Sequence, residues 1–539
     1  MVQPSEALSR SQFERKVGPH RSMFGRLVRS VGALGFAQIF NIASNLMLVP
    51  LFLSFWKAER YGEWIALSAL VAYLSTADFG MNSAASNALL SAYARKDHSR
   101  YRSLQASSMA FYIAVAAAVT VAVGAICIYC PVAEWLGVSH IESGTAAAII
   151  WLLAARLMWS MPASQIWNIF RSTGNLPLTQ WFGNAYAILL TAVTAVVLVL
   201  HGRVLALAAW SWLPMLVCVA CAWVTVRASH ADLLPRLSEA NMRDARSLLR
   251  PSMWFGIMML ATAIALNGPT LLVARALGGV AVALLVTTRT LANLVQQLIS
   301  ILCNAIWPEL THMESVGNYA TLRSANRLVT AACIFGAISL SGTLWFQGAE
   351  VLRIWTRGRL VADPWLLRGF LLYVVGRSPW LAGSMIGMAT NRNKGLAWHS
   401  LAAAVIGVGS AAYLMPWLHL VAIPFGLLLG EALMCYHFVV RHACRMIHED
   451  YRRLTLRTWS TLILACIASL LAGWLVQKVG IRFTALRWML SGASTTVVSG
   501  LCVWALLFQR SERELVLDRL LKATGLRKTW FQIAVETAE

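Results

Sequence analysis

The sequence predicts an all-α membrane protein with about fourteen transmembrane helices. Of its 539 residues, 58% are hydrophobic and only 13% are charged, whereas a soluble domain has about 25% charged and about 45–50% apolar residues. Apolar stretches of about 20 residues, each long enough to cross a hydrocarbon core about 30 Å thick, recur along the whole chain. The longest segment between them, 227–250, is too short for a folded domain. Together these observations exclude the soluble enzyme classes.

Hydropathy and the polar breaks between apolar runs define the fourteen predicted spans. They lie near 31–55, 63–86, 107–129, 145–168, 178–200, 204–226, 251–273, 281–306, 328–347, 366–389, 396–415, 418–440, 458–477 and 487–508.

Spans one to six and seven to twelve are predicted to form two related lobes. Asn45 and Asn267 lie late in the first span of each lobe, and Pro50 and Pro269 follow closely. Internal duplication of this kind is common in secondary transporters. The predicted organisation is a cytoplasmic N-terminal segment (1–30), an N-lobe (31–226), a cytoplasmic linker (227–250), a C-lobe (251–440), two extra spans (441–508) and a cytoplasmic amphipathic tail (509–539).

The distribution of Lys and Arg predicts that both termini are cytoplasmic. With the N-terminus inside, the inside segments hold nearly three times as many basic residues as the outside segments, and such an excess marks the cytoplasmic side. The formal net charge of +22 is explained by these short loops beside anionic membrane lipids, so nucleic acid is not an expected partner. In the tail, Leu517, Leu520 and Leu521 share one helical face, which predicts a helix on the inner leaflet.

Motifs of the common enzyme classes are missing from the sequence. We find no H-E-x-x-H, no P-loop and no G-x-S-x-G motif. The cysteine pairs Cys127/Cys130 and Cys218/Cys221 lack the further ligands that a zinc site needs. We therefore expect no enzyme activity, no metal and no cofactor.

Three arginines lie near the centres of predicted spans, where translocon scales assign a charge a cost of about 2.5–3.5 kcal/mol. They are Arg156, Arg289 and Arg377. At 1.5 Å per residue each lies roughly 12–17 Å from the outside end of its span, too deep to reach the headgroups easily. We expect them to face a wet or protein-lined interior.

Polar residues at helical spacing support such an interior. In the eighth span the polar residues recur at i, i+4, i+7, i+8, i+11 and i+15: Arg289, Asn293, Gln296, Gln297, Ser300 and Asn304. Weaker stripes occur in the first span (Gln38, Asn41, Asn45), the second (Asp78, Asn82, Ser86), the fourth (Arg156, Ser160, Ser164, Asn168) and the tenth (Tyr373, Arg377, Ser384). The simplest arrangement is one shared cavity lined by all five helices.

Two acids, Asp78 and Glu431, accompany the deep arginines. A cavity with more guanidinium than carboxylate groups suits an anionic substrate, because guanidinium groups match phosphate oxygens in pairs. Two interpretations of the acids stay open. They neutralise arginines as structural ion pairs, or they take up H⁺ or Na⁺ and couple transport to a gradient.

Three stretches resemble bacterial polysaccharide flippases of the multidrug/oligosaccharidyl-lipid/polysaccharide exporter superfamily. LVPLFLSFWKAERYGEW (48–64) and ADFGMNSAASN (77–87) resemble the start of these proteins, and TTRTLANLVQQL through WPEL (287–310) is similar to the matching part of their second half. The resemblance extends over the whole chain in span number, topology and two-lobe layout.

The resemblance implies a flippase in the bacterial cytoplasmic (inner) membrane. It would carry a polyprenyl-diphosphate-linked oligosaccharide to the outer leaflet by alternating access, with other polysaccharide-assembly membrane proteins as possible partners. Arg289 would contact the diphosphate, assisted by Arg156 and Arg377. Asn45, Asn293, Gln296 and Gln297 would line the sugar path.

The resemblance also limits the substrate. Residues 31–47 carry no charge, unlike the first span of the peptidoglycan-precursor flippases, so an O-antigen or exopolysaccharide substrate is favoured. A drug/cation antiporter of the same superfamily and a membrane glycosyltransferase or ligase are the alternatives.

Overall fold

The structure, a computed structural model, describes residues 21–508 and 513, with gaps at 174, 316–318, 362, 390–393 and 480–482. Within these ranges the chain is almost entirely helical and contains no strand. Almost all of the predicted tail therefore lies outside the described residues, as does most of the segment 1–30.

The helices in the first half of the chain cover the predicted spans, with breaks inside the second and the sixth. They are α1 (Arg21–Phe55), α2 (Ala58–Ala72), α3 (Met81–Ala94), α4 (His98–Tyr129), α5 (Val132–Trp135), α6 (Ser143–Ser172), α7 (Leu176–Val199), α8 (Val204–Trp210) and α9 (Trp212–Ser229). The helices in the second half are α10 (Met242–Ser315), α11 (Tyr319–Trp355), α12 (Pro364–Ala389), α13 (Lys394–Leu418), α14 (Ala422–Ile447), α15 (Tyr451–Lys478) and α16 (Thr484–Leu506).

The predicted fold class, an all-α polytopic membrane protein, is confirmed. In the described residues, ten helical stretches are long and apolar enough to cross a membrane. Two of them, Ser252–Ile301 and Lys394–Ile447, have 50 and 54 residues, about 75 Å or more of helix, and so accommodate two crossings each. The broken pair α2–α3 and helix α12 correspond to the second and tenth predicted spans.

Helix α10 is two helices joined at a glycine. Gly278 has φ 81° and ψ −176°, a backbone conformation that residues with a Cβ rarely adopt. The helix is kinked there, and the second half of α10, which carries the Arg289 stripe, follows. Gly278 thus marks the boundary that hydropathy predicts between the seventh and eighth spans.

The second predicted span, 63–86, is not a continuous helix. Helix α2 ends at Ala72, a 3-10 turn covers Tyr73–Asp78, and Phe79 has φ 49° before α3 begins. The hydroxyls of Ser75 and Thr76 donate to the carbonyls of Ala72 and Tyr73, both at 2.7 Å, and so compete with the helical pattern. Asp78 therefore lies at the end of a turn and not within a helical stripe.

The described chain forms two compact units. Unit 1 comprises Met1–Phe55, Gly80–Cys130 and Gly144–Ser252, and unit 2 comprises Trp56–Phe79, Pro131–Ser143 and Met253–Glu539. These compact units are not the two six-helix lobes expected from internal duplication, because each unit combines segments from different parts of the chain. The duplication itself stays a prediction.

In unit 1 the predicted linker is fixed to the beginning of α4. Asp244 accepts from the Arg100 guanidinium at 2.6 Å and from the Ser103 hydroxyl at 2.6 Å. Glu239 accepts from Arg102 at 3.1 Å. The linker is therefore ordered by polar contacts instead of hanging free between helices.

In unit 2 the antiparallel pair α13–α14 packs through small residues. A Cβ added to Gly430 would meet the backbone of Ala403 and Gly407, so the two helix backbones approach closely, as is typical inside membranes.

A buried carboxylate, Glu63, holds a turn elsewhere in unit 2. Glu63, which is 2% exposed, accepts from the backbone N–H groups of Ser139 and His140, both at 2.8 Å. This buried carboxylate fixes the turn after α5 to α2.

Candidate functional site

A cavity of about 430 Å³ opens within unit 2; we call it the main cavity. Both halves of α10 line it together with α12, α13 and α14. The predicted stripe of the eighth span faces it, because Arg289, Asn293, Gln296, Gln297 and Ser300 are all lining residues. The side chain of Asn304, the last residue of that stripe, lies outside the described set.

Arg289 carries a positive charge without a carboxylate partner among the described residues. Its Nη1 donates to the carbonyl of Leu266 at 2.6 Å, and its Nη2 lies 3.4 Å from the hydroxyl of Thr270. Both partners are on the first half of α10 and both are neutral. The guanidinium is therefore held in position, but its charge is not neutralised.

Arg377 lies on the same cavity and has a carboxylate neighbour. Its Nε is 3.6 Å from an oxygen of Glu431, and its guanidinium carbon lies 5.1 Å from the ring centre of Trp380. This distance is within cation–π range. Its Nη1 also donates to the Tyr373 hydroxyl at 3.3 Å, so Arg377 is positioned by one carboxylate and two aromatic residues.

Glu431 is bonded at both of its oxygens. The Tyr373 hydroxyl donates to Oε1 at 2.7 Å, and the Trp380 indole N–H donates to Oε2 at 2.9 Å. The residue is 8% exposed. Its contacts favour the interpretation in which Glu431 neutralises and orients Arg377.

The main cavity is therefore cationic. Among the described residues that line it, Arg289 and Arg377 face a single acid, Glu431. The amide side chains of Asn293, Gln296 and Gln297 lie on the same helix as Arg289, and Gln297 Oε1 is buried without a hydrogen-bond partner. Such a surface offers charge to an anion and amide groups to a hydroxyl-rich molecule.

The remaining predicted site residues are not part of this lining. Arg156 and Asn45 belong to unit 1. The Arg156 Nη1 donates to the Tyr186 hydroxyl at 2.6 Å, and Asn45 donates to Asn41 at 2.9 Å. Asp78, half-buried in its 3-10 turn, does not line the main cavity either. The structure thus brings together six of the predicted residues: Arg289, Asn293, Gln296, Gln297, Arg377 and Glu431.

Part of the polar stripe on α6 is used for helix packing. Asn168 accepts from the Ser86 hydroxyl at 2.8 Å and donates to Asn82 at 2.8 Å. Gln165 also reaches Asn82, at 3.3 Å. These contacts join α3 to α6 inside unit 1, so polar residues at helical spacing here reflect a buried hydrogen-bond network.

Two contributors to these sites, Trp380 and Tyr186, were not predicted. Trp380 follows Tyr373 and Arg377 at i, i+7 and i, i+3, so it lies on the face of α12 that was already identified. The helical spacing could therefore have identified Trp380, but an aromatic side chain in an apolar span is normally interpreted as facing lipid or packing in the core.

Comparisons with known proteins give structural likeness without sequence likeness. No protein-family model and no curated protein matches the sequence. A solved structure of an inward-facing multidrug resistance MATE family transporter of the MOP superfamily matches with a TM-score of 0.65 and 14% identity, over 76% of this chain and 94% of that one.

Two further solved structures match as whole chains. The lipid II flippase MurJ in an inward closed conformation has a TM-score of 0.65 and 10% identity, over 88% of this chain and 98% of that one. An outward-facing MATE transporter has a TM-score of 0.57 and 13% identity, over 77% of this chain and 95% of that one. At these identities the likeness establishes the fold: the chain has the helical architecture shared by MATE transporters and MurJ.

Proposed function

We propose that the protein is a flippase that moves a polyprenyl-diphosphate-linked oligosaccharide from the inner to the outer leaflet of the bacterial cytoplasmic membrane by alternating access. The product would serve surface or exopolysaccharide biosynthesis, alongside other membrane proteins of polysaccharide assembly. The observation that carries the proposal is the uncompensated guanidinium of Arg289 in the main cavity.

The chemistry of the main cavity suits the headgroup of such a lipid. Guanidinium groups bind phosphate oxygens through pairs of charge-assisted hydrogen bonds, so we assign the diphosphate to Arg289, with Arg377 assisting. The amides of Asn293, Gln296 and Gln297 can both donate to and accept from sugar hydroxyls, so we assign the sugar path to them. The roles of Arg156 and Asn45 stay predictions from the sequence. A cavity of about 430 Å³ is within the usual range for small-molecule sites.

The lipid II flippase aligns with a larger share of this chain than the MATE transporters do, which supports the same proposal. MurJ aligns with 88% of this chain and the MATE structures with 76–80%. The extra length agrees with two spans beyond a twelve-span core, and the lipid II flippase is the neighbour whose substrate is itself a lipid.

A drug/cation antiporter is the second candidate, because a multidrug transporter matches with the same TM-score of 0.65. An organic cation would need an accessible carboxylate in the cavity. Glu431 already accepts from Tyr373 and Trp380 and lies beside Arg377, which disfavours that substrate class. The glycosyltransferase or ligase alternative has no support among these neighbours.

The test is translocation in proteoliposomes. A labelled polyprenyl-diphosphate oligosaccharide is incorporated, and flipping is measured as access of an external glycosidase to lipid that began on the inner leaflet. We expect protein-dependent access that Arg289→Ala abolishes and that the exposed matched control Arg275→Ala retains. Efflux of an organic cation without lipid flipping would instead establish the antiporter.

We also propose that transport is coupled to H⁺ or Na⁺ through Asp78 or Glu431. Imposing each gradient separately on the same vesicles tests this, and a flipping rate that is independent of both gradients contradicts it. Substitution of each acid by its amide then identifies which residue responds.

A further inference from the structure

A second cavity, of about 230 Å³, lies where α12 ends and α13 begins, beside the last turns of α14. We call it the basic pocket. Four basic side chains line it: His399 from α13, and Arg441, His442 and Arg445 from α14. The His399 ring is stacked on Phe438, with ring centres 4.5 Å apart and planes within 4°, so at least one of these groups is held in a fixed orientation.

The positive charge of the basic pocket is not compensated by nearby acids. No Asp or Glu is among its described lining residues. The two acids that follow α14 are both engaged elsewhere: Glu449 accepts from Arg327 at 2.8 Å, and Asp450 accepts from the backbone N–H groups at the start of α15. Arg441 and Arg445 form no ion pair among the described residues, which leaves two free guanidinium groups on one pocket.

The basic pocket adjoins the main cavity. Ser384 of α12 and Leu396 of α13 line both of them. The Lys and Arg distribution predicts that this end of α12, α13 and α14 faces the cytoplasm, the side on which the inner-leaflet lipids present their phosphates. A lipid phosphate in the basic pocket would therefore lie beside the cavity that Arg377 lines.

We infer that the basic pocket binds the diphosphate of the transported lipid on the cytoplasmic side, before that group passes to Arg377 and Arg289. Two guanidinium groups on one pocket suit a diphosphate better than a single carboxylate, because each guanidinium presents a fork of N–H donors and a diphosphate has enough oxygens and negative charge to engage both. The inference rests on the proposed function and adds a residue set and an order of contact to it.

Direct binding is the first test. The purified full-length protein is placed in nanodiscs of zwitterionic phosphatidylcholine and titrated with farnesyl diphosphate, a short-chain prenyl diphosphate. Loss of a hydrogen bond to a charged group weakens binding by about tenfold or more, so we expect at least that loss for the double variant Arg441→Gln/Arg445→Gln. The matched control Arg452→Gln/Arg453→Gln removes the same charge from exposed positions on the next helix and should stay within about twofold at moderate salt.

Two outcomes would overturn the inference. Equal affinity for farnesyl diphosphate in the wild-type protein and the pocket variant would show that the basic pocket does not bind the diphosphate. Displacement of farnesyl diphosphate by phosphatidylglycerol at comparable concentrations would identify a bilayer phospholipid as the occupant instead of the transported substrate. A single variant, Arg441→Lys, which keeps the charge and loses the fork, should bind with intermediate affinity if the protein is folded.

Flipping kinetics separate this inference from the proposed function. The pocket variant should need a substrate concentration about tenfold higher for half-maximal flipping, with an unchanged maximal rate, because it weakens the first contact only. If the protein flips no lipid, the proposed function fails, and the binding titration still shows whether the basic pocket binds a prenyl diphosphate. If it flips lipid and the half-saturating concentration is unchanged in the variant, the pocket is overturned and the function stands.

Discussion

Replacing Glu431 by glutamine tests whether this carboxylate holds the wall of the main cavity together. The substitution keeps the size of the side chain but exchanges one acceptor oxygen for an NH₂ group, which must face either the Tyr373 hydroxyl or the Trp380 indole N–H. It also removes the charge beside Arg377, 3.6 Å away.

The magnitude follows from the two hydrogen bonds and the burial. Hydrogen bonds between membrane helices contribute about 0.6 kcal/mol on average and up to about 1.7 kcal/mol, and those to charged groups lie at the upper end. The Glu431 side chain is only 11% exposed. We therefore expect Glu431→Gln to lower the free energy of unfolding by about 2 kcal/mol.

Glu350 is a matched control elsewhere in unit 2. Its carboxylate likewise lies beside an arginine and a tryptophan: Arg487 donates to Oε2 at 3.1 Å and Trp488 donates to the same oxygen at 3.3 Å, but the side chain is 28% exposed. A partly exposed pair contributes about 1 kcal/mol or less, so Glu350→Gln should have less than half the effect. Unfolding of both variants by dodecyl sulfate in mixed micelles gives the comparison. Equal losses for the two variants would refute the argument from burial.

Three further predictions, two of them with a comparison variant, test contacts within each of the two units. Gly430→Ala places a methyl group against the backbone of α13 and should lower the free energy of unfolding by about 1–3 kcal/mol. Gly409 has open space around it, so Gly409→Ala should leave this free energy unchanged or raise it slightly. A similar decrease in both variants would contradict the argument from close helix packing. Asp244→Ala removes the carboxylate that accepts from both Arg100 and Ser103. It should therefore raise the rate of backbone amide hydrogen exchange in the linker more than Glu239→Ala does. A larger increase for Glu239→Ala would contradict this account of the linker contacts. Glu63→Ala removes the buried carboxylate that accepts from the backbone N–H groups of Ser139 and His140 and should lower the free energy of unfolding by about 1–3 kcal/mol. An unchanged free energy of unfolding would mean that water replaces the carboxylate.

The fold and one face of the site were predictable because both depend on local periodicity. Hydropathy gives the number of spans, and the stripe from Arg289 to Ser300 needs only the helical repeat to identify one polar face. The main cavity confirms that Arg289 and the three amides of that stripe share a surface.

The partners of these residues were not predictable, because they are distant in sequence. Glu431 and Arg377 were identified separately as deep charges, but only the packing of α12 against α14 brings them to 3.6 Å. The break at Phe79 was missed for a different reason: hydropathy averages over a window and does not register the backbone angle of a single residue. Asn168 shows the opposite error, since a polar residue at helical spacing serves helix packing.

The most direct test of the central claim is the initial rate of lipid flipping for three proteins in parallel: wild type, Arg289→Lys and Arg289→Ala. A guanidinium that binds the diphosphate predicts a graded loss, because lysine keeps the charge but not the paired hydrogen bonds, and alanine keeps neither. We expect a rate reduced by about tenfold or more in Arg289→Ala, with Arg289→Lys between it and the wild type. Wild-type rates in both variants, with the proteins folded and present in equal amounts, would contradict the assignment of the cationic cavity to the substrate.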